Sequence, residues 1–371
     1  MLLVAIGLVG VVVLYPSRRA ADGFPSNEAY IGAPRVRIHN RMTAGEGLRV
    51  LHLVTAREVF FEQQIETLER KGVECTVCVV PGAEQIDGDM GSRRGVSEYL
   101  RFFPKVRRAL RRGSFDLVHA NYGLTIPYAV TQFRLPVVVT LWGSDVVGFD
   151  GLVTKASVWR ADAVTVRSAE MRELLGREDA YIVPSGVDLE RFRPIDRTEA
   201  RARVGWAADG THVLFPYSPA YERKNYPLAQ QVVNRAETQL DGSIELQTIS
   251  GVPHEEVPYY MNAADAVLLT STHEGSPNTV KEAMGCNVPV VSTDVGDVRE
   301  RLAGVEPGGV GTTADELAAH LVETVQDSTR SNGRAAVREV SWDRIGDRLI
   351  DIYRTVIPNK RKNTQPIVDD Q

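Results

Sequence analysis

Short apolar runs recur along the chain from Leu48 onward, separated by stretches in which apolar residues return every three or four positions. LRVLHLV, ECTVCVV, DLVHA, PVVVTLW, AVTVR and YIVP form a first series of strand-like runs, with FFEQQIETLERKG and VSEYLRFFPKVRRALRRG between them showing helical periodicity. Such alternation predicts parallel sheets covered by helices on both faces. The pattern restarts after PSGVDLERFRP, residues 184–194, whose two prolines and glycine suit a hinge. HVLFPY, IELQTIS, DAVLLTS and VPVVSTD make the second series. The expected fold is therefore α/β: two doubly wound Rossmann-like domains, 48–185 and 186–340, facing across a cleft. An amphipathic helix is expected over 341–357, followed by a polar, disordered tail over 358–371. In open α/β sheets ligands sit beyond the carboxyl ends of the strands, so the loops after strands are where chemistry is sought.

Composition narrows the class. A chain of 371 residues is long for one core, and 43% hydrophobic with 25% charged residues is a globular balance. A formal net charge of −5 gives no basic excess for a nucleic-acid partner. Cys75, Cys78 and Cys286 are too few for a disulfide framework and fit a reducing cytoplasm. Cys75 and Cys78 form a CxxC, but three residues apart on a strand they point to opposite faces, so they read as small buried apolar residues. Residues 1–47 form an N-terminal extension. Its run Leu2 to Tyr15 is apolar but short of the roughly 20 residues of a membrane span, and it lacks the basic start of a signal peptide. Were it to insert, Arg18 and Arg19 would hold the bulk of the chain in the cytoplasm. A start at Met42 would instead leave Met1 to Arg41 outside the native protein.

The densest chemistry lies in HEGSPNTVKEAMG, residues 273–285. Ser276 is placed as an N-cap, Pro277 at the first helical position and Gly285 at the C-cap. A short helix opening into the cleft offers free backbone N–H groups to an anion, and Gly275 lets a ligand approach the backbone. Glu274 and Glu282 flank that start. Beside a phosphate they make sense as acceptors for hydroxyls on either side of it, the layout of a nucleotide sugar. On spacing alone, an ordinary solvated helix is the better reading.

The segment EGSPNTVKEAMGCNVPVVSTDVGDVRE, however, resembles the E-x7-E region of the retaining GT-B glycosyltransferases of family four. Glu274, Gly275, Pro277, Glu282, Ala283, Gly285, Pro289, Val290, Gly296 and Glu300 fall in register. FDLVHANYG, VTLWGSDV, IVPSGVDLERFRP (Ser185 standing for the usual Asn) and ERKNYPLA resemble further family segments in the right order. The resemblance covers about residues 48 to 355. It implies the GT-B fold and transfer of a sugar from a nucleoside diphosphate to an acceptor hydroxyl with retained configuration. It implies no cofactor and no metal, because protein cations stabilise the leaving diphosphate. Lys224 would supply that charge, Glu274 would support the transferred sugar and Glu282 the ribose. Arg223, Gly275, Ser276, Asn278 and Thr279 would meet the donor, and Gly251 and Val252 would lie at the base. Three departures stand out: Tyr221 and Glu222 lie where an arginine is usual, TAREVFF lacks a frequent Gly pair, and Trp142 replaces a histidine.

On the acceptor side, Arg57, Phe60 and Phe61 follow the first strand, and His119, Trp142 and Asp145 lie near the sugar. Partners would be the nucleoside diphosphate sugar and a glycan or lipid-linked acceptor, with no nucleic acid. Arg107, Arg108, Arg111 and Arg112 could meet a membrane surface, although cations late in a helix are favourable in any case. The expected location is the cytoplasm, with the inner membrane face as an extension of it. Two rivals remain at this level: a nucleotide-sugar epimerase on the same fold, and a non-catalytic nucleotide-sugar binder.

Overall fold

The computed structural model describes residues 47–82 and 96–357. The apolar N-terminal run, Met42 and the polar tail lie outside the described residues.

Among the described residues the chain forms two parallel sheets. The first holds β1 (Arg49–Val54), β2 (Glu74–Val79), β3 (Leu117–Asn121), β4 (Val137–Thr140), β5 (Ala163–Val166) and β6 (Tyr181–Ile182), in the order β2-β1-β3-β4-β5-β6. The second holds β7 (Thr211–Phe215), β8 (Ile244–Thr248), β9 (Ala266–Leu269), β10 (Val290–Thr293) and β11 (Gly308–Gly311), in the order β11-β10-β9-β7-β8. Strand order therefore reverses between β1 and β3 in one sheet and between β7 and β9 in the other. These are the switch points at which open α/β sheets bind ligands. β1 pairs in register with β3, setting His52 beside His119, and β7 pairs with β9, setting Leu214 beside Val267.

The central strands are buried on both faces, as parallel strands under helices must be. β3, β4, β5 and β9 contain no exposed residue. Cys75 packs with residues of the Val50 and Phe61 clusters, and Cys78 packs in the Leu51 cluster on the other face. All three cysteines are free thiols.

The chain crosses between the bodies twice, and the crossings touch. Val187 N–H donates to Val340 O at 3.0 Å, and Trp342 N–H donates to Val187 O at 3.1 Å. A side chain at Gly186 would collide with the Trp342 ring, its Cβ falling 2.3 Å away, so only glycine fits there. After this crossing the helix Trp342–Val356 packs on the first sheet, not the second. Trp342, Ile345, Leu349, Ile350, Ile352 and Tyr353 join Val50, Leu117, Val138 and Ala163 in one buried cluster. Each such side chain contributes about 1.5–3 kcal/mol of gross burial. The ion pairs of Lys71 with Asp343 and Asp347 at 2.7 and 2.8 Å involve half- to fully exposed carboxylates, worth roughly 0–1 kcal/mol each. Apolar burial therefore holds this helix in place. No helix among the described residues is long and apolar enough to cross a membrane.

Candidate active site

The loops after β7 and β9 are stitched together before any side-chain chemistry begins. Thr270 Oγ1 donates to the carbonyls of Lys224 and Asn225 at 3.0 Å each, and Thr272 N–H donates to Arg223 O at 3.0 Å. Asn225 adopts φ 56°, a left-handed turn that ends the 3₁₀ segment Glu222–Lys224 and opens the helix Tyr226–Glu237. This turn aims Lys224 inward. Its Nζ lies 2.5 Å from Glu274 Oε1 and 3.8 Å from the centre of the Tyr217 ring. Both members of the ion pair are nearly buried, with 8% and 11% of their side chains exposed. Burial opposes the charge on Lys224, but Tyr217 and the Glu274 carboxylate outweigh it and raise its pKa. The lysine is thus a held cation.

Tyr217 was not foreseen in the sequence. It closes the floor under Lys224 and its hydroxyl lies 2.6 Å from Thr279 Oγ1. Nothing in FPYSP distinguishes it from an ordinary post-strand aromatic.

The helix begins one residue later than its sequence suggests. It spans Asn278–Gly285, with Pro277 as the N-cap and no side-chain cap. Ser276 does not cap it. Its Oγ donates to Asp297 Oδ2 at 2.8 Å and accepts from Lys281 Nζ at 2.9 Å. Asn278 Oδ1 is buried without a partner. Gly285 is the last helical residue, and Cys286 is the C-cap. Glycine is required there for a different reason: a Cβ would sit 2.9 Å from Phe192 O. Gly296 backs the Glu274 loop, since a Cβ would meet Gly275 O at 2.5 Å. Glu282 is largely buried and lies 3.4 Å from His254 Nε2, whose Nδ1 accepts from Arg191 at 2.7 Å.

Other donor-side expectations are moved by the structure. Arg223 is exposed and donates to the Tyr221 hydroxyl at 2.9 Å, and the same Tyr221 ring lies 5.8 Å from Lys224 Nζ. Gly251 makes an exposed turn at φ 66°. Val252 packs partly into the second core, which leaves the backbone of that turn to meet a ligand.

Across the cleft, the first domain shows a different economy. Trp142 is sandwiched: Phe60 packs against it with ring centroids 4.4 Å apart, and the Arg167 guanidinium lies 3.6 Å from its ring centre. Asp145 is fully buried and spends both oxygens on backbone. It accepts from Trp142 N–H at 2.9 and 3.0 Å, Gly143 N–H at 2.9 Å and Gly123 N–H at 3.3 Å. Burial raises its pKa, and these amides oppose the shift. It shapes the loop and has no lone pair turned to a sugar. His119 is likewise placed away from the cleft, in the middle of β3 under the C-terminal helix. Its ring nitrogens lie 2.7 Å from the Tyr353 hydroxyl and from Thr140 Oγ1, and burial holds its pKa well below the usual range. Phe61 is a core residue at 1% exposure. Arg57 is exposed and lies 3.4 Å from Glu62 in the adjacent helix Val59–Arg70. Tyr122, directly after β3, holds φ 113° and ψ 142°, a strained conformation costing about 1–3 kcal/mol for a non-glycine residue. Arg107, Arg108, Arg111 and Arg112 are exposed on the helix Val96–Arg112.

Two buried cations complete the boundary between the domains, and both escaped the sequence reading. Arg167, at 2% exposure, donates from Nη1 to Val183 O at 2.9 Å and Pro184 O at 3.2 Å, while its Nε and Nη2 have no partner. Desolvation pushes it down to about 9 against the pull of Asp145. Lys281, fully buried, donates to Ser185 O at 2.9 Å, Ser276 O at 3.2 Å and Ser276 Oγ at 2.9 Å. Desolvation pushes it down to about 7 although Asp297 pulls the other way. The signal for Lys281 was present: a lysine among Val280, Ala283 and Met284 stands at a core position of its helix.

Two parallel Rossmann-like sheets, with switch points at β1/β3 and β7/β9, make the GT-B architecture. Comparison with known proteins agrees. The profile described as "Glycosyltransferase Family 4" matches residues 58–191, and "Glycosyl transferases group 1" matches residues 225–327. The chain is 26% identical over 302 residues to the putative teichuronic acid biosynthesis glycosyltransferase TuaC of Bacillus subtilis, covering 65% of this chain and 77% of that protein. It is 26% identical over 319 residues to the MMP alpha-(1->4)-mannosyltransferase of Mycolicibacterium hassiacum, covering 71% and 76%. Its fold matches the sucrose-phosphate synthase of Thermosynechococcus elongatus with a TM-score of 0.65 at 19% identity, covering 83% of this chain and 98% of that one. It matches Anabaena HepE in complex with UDP with a TM-score of 0.61 at 18% identity, covering 83% and 100%. The chain belongs to the group 1, family four glycosyltransferases.

Proposed function

We propose that this enzyme moves a hexosyl group from a nucleoside diphosphate sugar to an acceptor hydroxyl with retention of configuration. The observation that carries the reading is the Lys224–Glu274 pair at 2.5 Å, set at the β7/β9 switch point just before the helix carrying Glu282. The donor diphosphate would lie at the amides of Gly275, Ser276, Asn278 and Thr279, with its negative charge drawing on Lys224. Glu282 would accept from the ribose, and Glu274 from the hydroxyls of the transferred sugar. HepE complexes with UDP and UDP-glucose among the fold neighbours support a nucleotide-sugar donor.

The bond from the anomeric carbon to the diphosphate oxygen breaks, and the electron pair leaves with the nucleoside diphosphate. Lys224 offsets the charge that develops there, an effect enlarged by exclusion of water. The acceptor oxygen bonds the anomeric carbon from the same face, and its proton passes to a departing phosphate oxygen. Glu274 offers negative charge to the oxocarbenium character between these events. Trp142 and Phe60 give the acceptor, a glycan or lipid-linked sugar, an aromatic surface on the first domain.

The test is release of nucleoside diphosphate from a panel of donors with and without saccharide acceptors, followed by NMR of the anomeric linkage. Acceptor-dependent release and a retained anomer are expected. Binding of nucleotide sugar without release under any acceptor would favour a non-catalytic binder, and the exposed Arg223 would then be the first suspect.

A further inference from the structure

We propose that Lys281 and Arg167 are positioning residues that clasp the interdomain linker and tie it to the two faces of the cleft. Three consecutive linker carbonyls are divided between the bodies. Val183 O and Pro184 O accept from Arg167 of the first domain, and Ser185 O accepts from Lys281 of the second. Each cation has a second duty at the site. Arg167 supports Trp142 from beneath, and Lys281 holds Ser276 through both its carbonyl and its hydroxyl.

The loop they bracket has no slack. A Cβ added to Gly275 would lie 3.1 Å from Met171 Sδ, 3.4 Å from Trp142 O and 3.6 Å from Arg167 Cβ. The donor loop thus rests directly on the acceptor domain, and the hinge backbone is bonded to both. Rotation about residues 184–187 has to move Ser276 with it, or break charge-assisted bonds in a dry setting where water offers no replacement. Lys281 has all three N–H groups committed, so it is built to hold and not to react. Two such cations are costly to bury: both suffer desolvation, and the Arg167 charge further lowers the pKa of Lys281. A purely structural core would replace them with apolar residues. Their presence here marks backbone carbonyls that must be gripped.

This inference rests on the transferase reading for its kinetic arm and stands apart from it in its structural arm. Lys281→Met keeps the stem and removes the ammonium. Hydrogen exchange of the full chain without ligand is expected to show the amides of Val183, Ser185, Gly186 and Val187 and of Gly275, Ser276 and Asn278 at least tenfold faster, with the central strands unchanged. Affinity for nucleoside diphosphate should fall by less than kcat does, because Lys224 and Glu282 keep their places in the second domain while only the loosened 275–278 loop weakens its grip. Acceptor-dependent kcat should fall at least tenfold, because the donor loop no longer keeps its seat against Trp142. Lys281→Arg should recover part of it. Linker exchange unchanged in folded Lys281→Met overturns the proposal, and so does an affinity loss that matches the loss in kcat. If Lys281→Met does not fold, Lys281→Gln, a shorter polar side chain that cannot hold Ser185 O and Ser276 together, takes its place, and its linker exchange decides by the same criterion. Failure of the transferase reading shows separately, as absence of nucleotide binding in the wild type, and leaves the exchange result intact.

Discussion

The two faces of the cleft handle their polar groups in opposite ways. On the acceptor face, polar side chains are consumed within the protein: Asp145 by three backbone amides, His119 by Tyr353 and Thr140, Asn121 by Gln64 at 2.9 Å. What this face turns outward is aromatic, Trp142 and Phe60. On the donor face, charges are paired with each other across loops, Lys224 with Glu274; unpartnered buried polar atoms occur on both sides, Asn278 Oδ1 and Asp297 Oδ1 here, Gln64 Oε1 and Arg167 Nη2 across the cleft. A face for a charged, invariant group such as a diphosphate needs fixed donors and cations. A face for a variable saccharide can rely on a shaped apolar platform, since sugar rings stack on aromatic surfaces whatever their hydroxyl pattern. On the proposed reading, the difference places class on the second-domain side of the cleft and specificity on the first-domain side.

Mutations sharpen or break this contrast. The largest loss should follow removal of donor-side charge. Lys224→Ala and Glu274→Gln are each expected to lower kcat/KM about 10²–10³-fold in a donor-turnover assay; a loss under tenfold would detach the pair from chemistry. Asp145→Ala should act on the fold instead. Three amides lose a buried acceptor, costing about 3 kcal/mol or more, read as a lower denaturation midpoint with an unaltered slope. Were stability to hold while activity vanished, Asp145 would belong to the reacting set after all. Trp142→Ala or Phe60→Ala should raise the acceptor KM about tenfold, from loss of aromatic contact worth about 0.5–1.5 kcal/mol beyond its area, and leave the donor KM alone.

A smaller effect is expected in pH. Lys281 faces Asp297, Arg167, Arg301 and Glu282, and its folded-state pKa of about 7 lies below the ordinary 10.5. Below pH 7 both states carry the proton and the full cost of burying the charge is present. Between about 7 and 10.5 the unfolded chain binds the proton more tightly, so this group's contribution to stability rises with pH. The melting-temperature difference between wild type and Lys281→Met should therefore move in favour of wild type from pH 6 to 10. The smallest changes belong to Arg57→Ala and Arg223→Ala, whose side chains are exposed; activity within twofold is expected.

How much of this was legible depends on what a residue answers to. The strand runs from LRVLHLV to VPVVSTD were readable because burial on both faces forces apolar content. GGVG was not read as β11, since glycines carry no strand signal, and Gly308 and Gly309 are set there by crowding against Val290 O and His320. Lys224, Glu274 and Glu282 were readable because they act as themselves. For Ser276 and Gly285 local capping rules point to the helix ends, whereas Lys281 within the same helix, and Asp297 and Phe192 distant in sequence, decide those positions. His119 and Asp145 misled for the same cause, because a polar residue beside a site looks alike whether it faces a ligand or holds a loop. Arg167 gave no signal, for its partners are carbonyls, which every residue has.

The final helix has a consequence for how the protein is made. Its apolar face, Ile345, Leu349, Ile350 and Tyr353, supplies part of the core beneath β1, β3 and β4. A ribosome delivers the first sheet before the second body and this helix only after it. The usual order, in which the leading domain finishes first, is reversed here. The nascent first body carries an open apolar seam over Val50, Leu117 and Val138 until this helix emerges. That seam, and not the active site, is where a chaperone would find this protein.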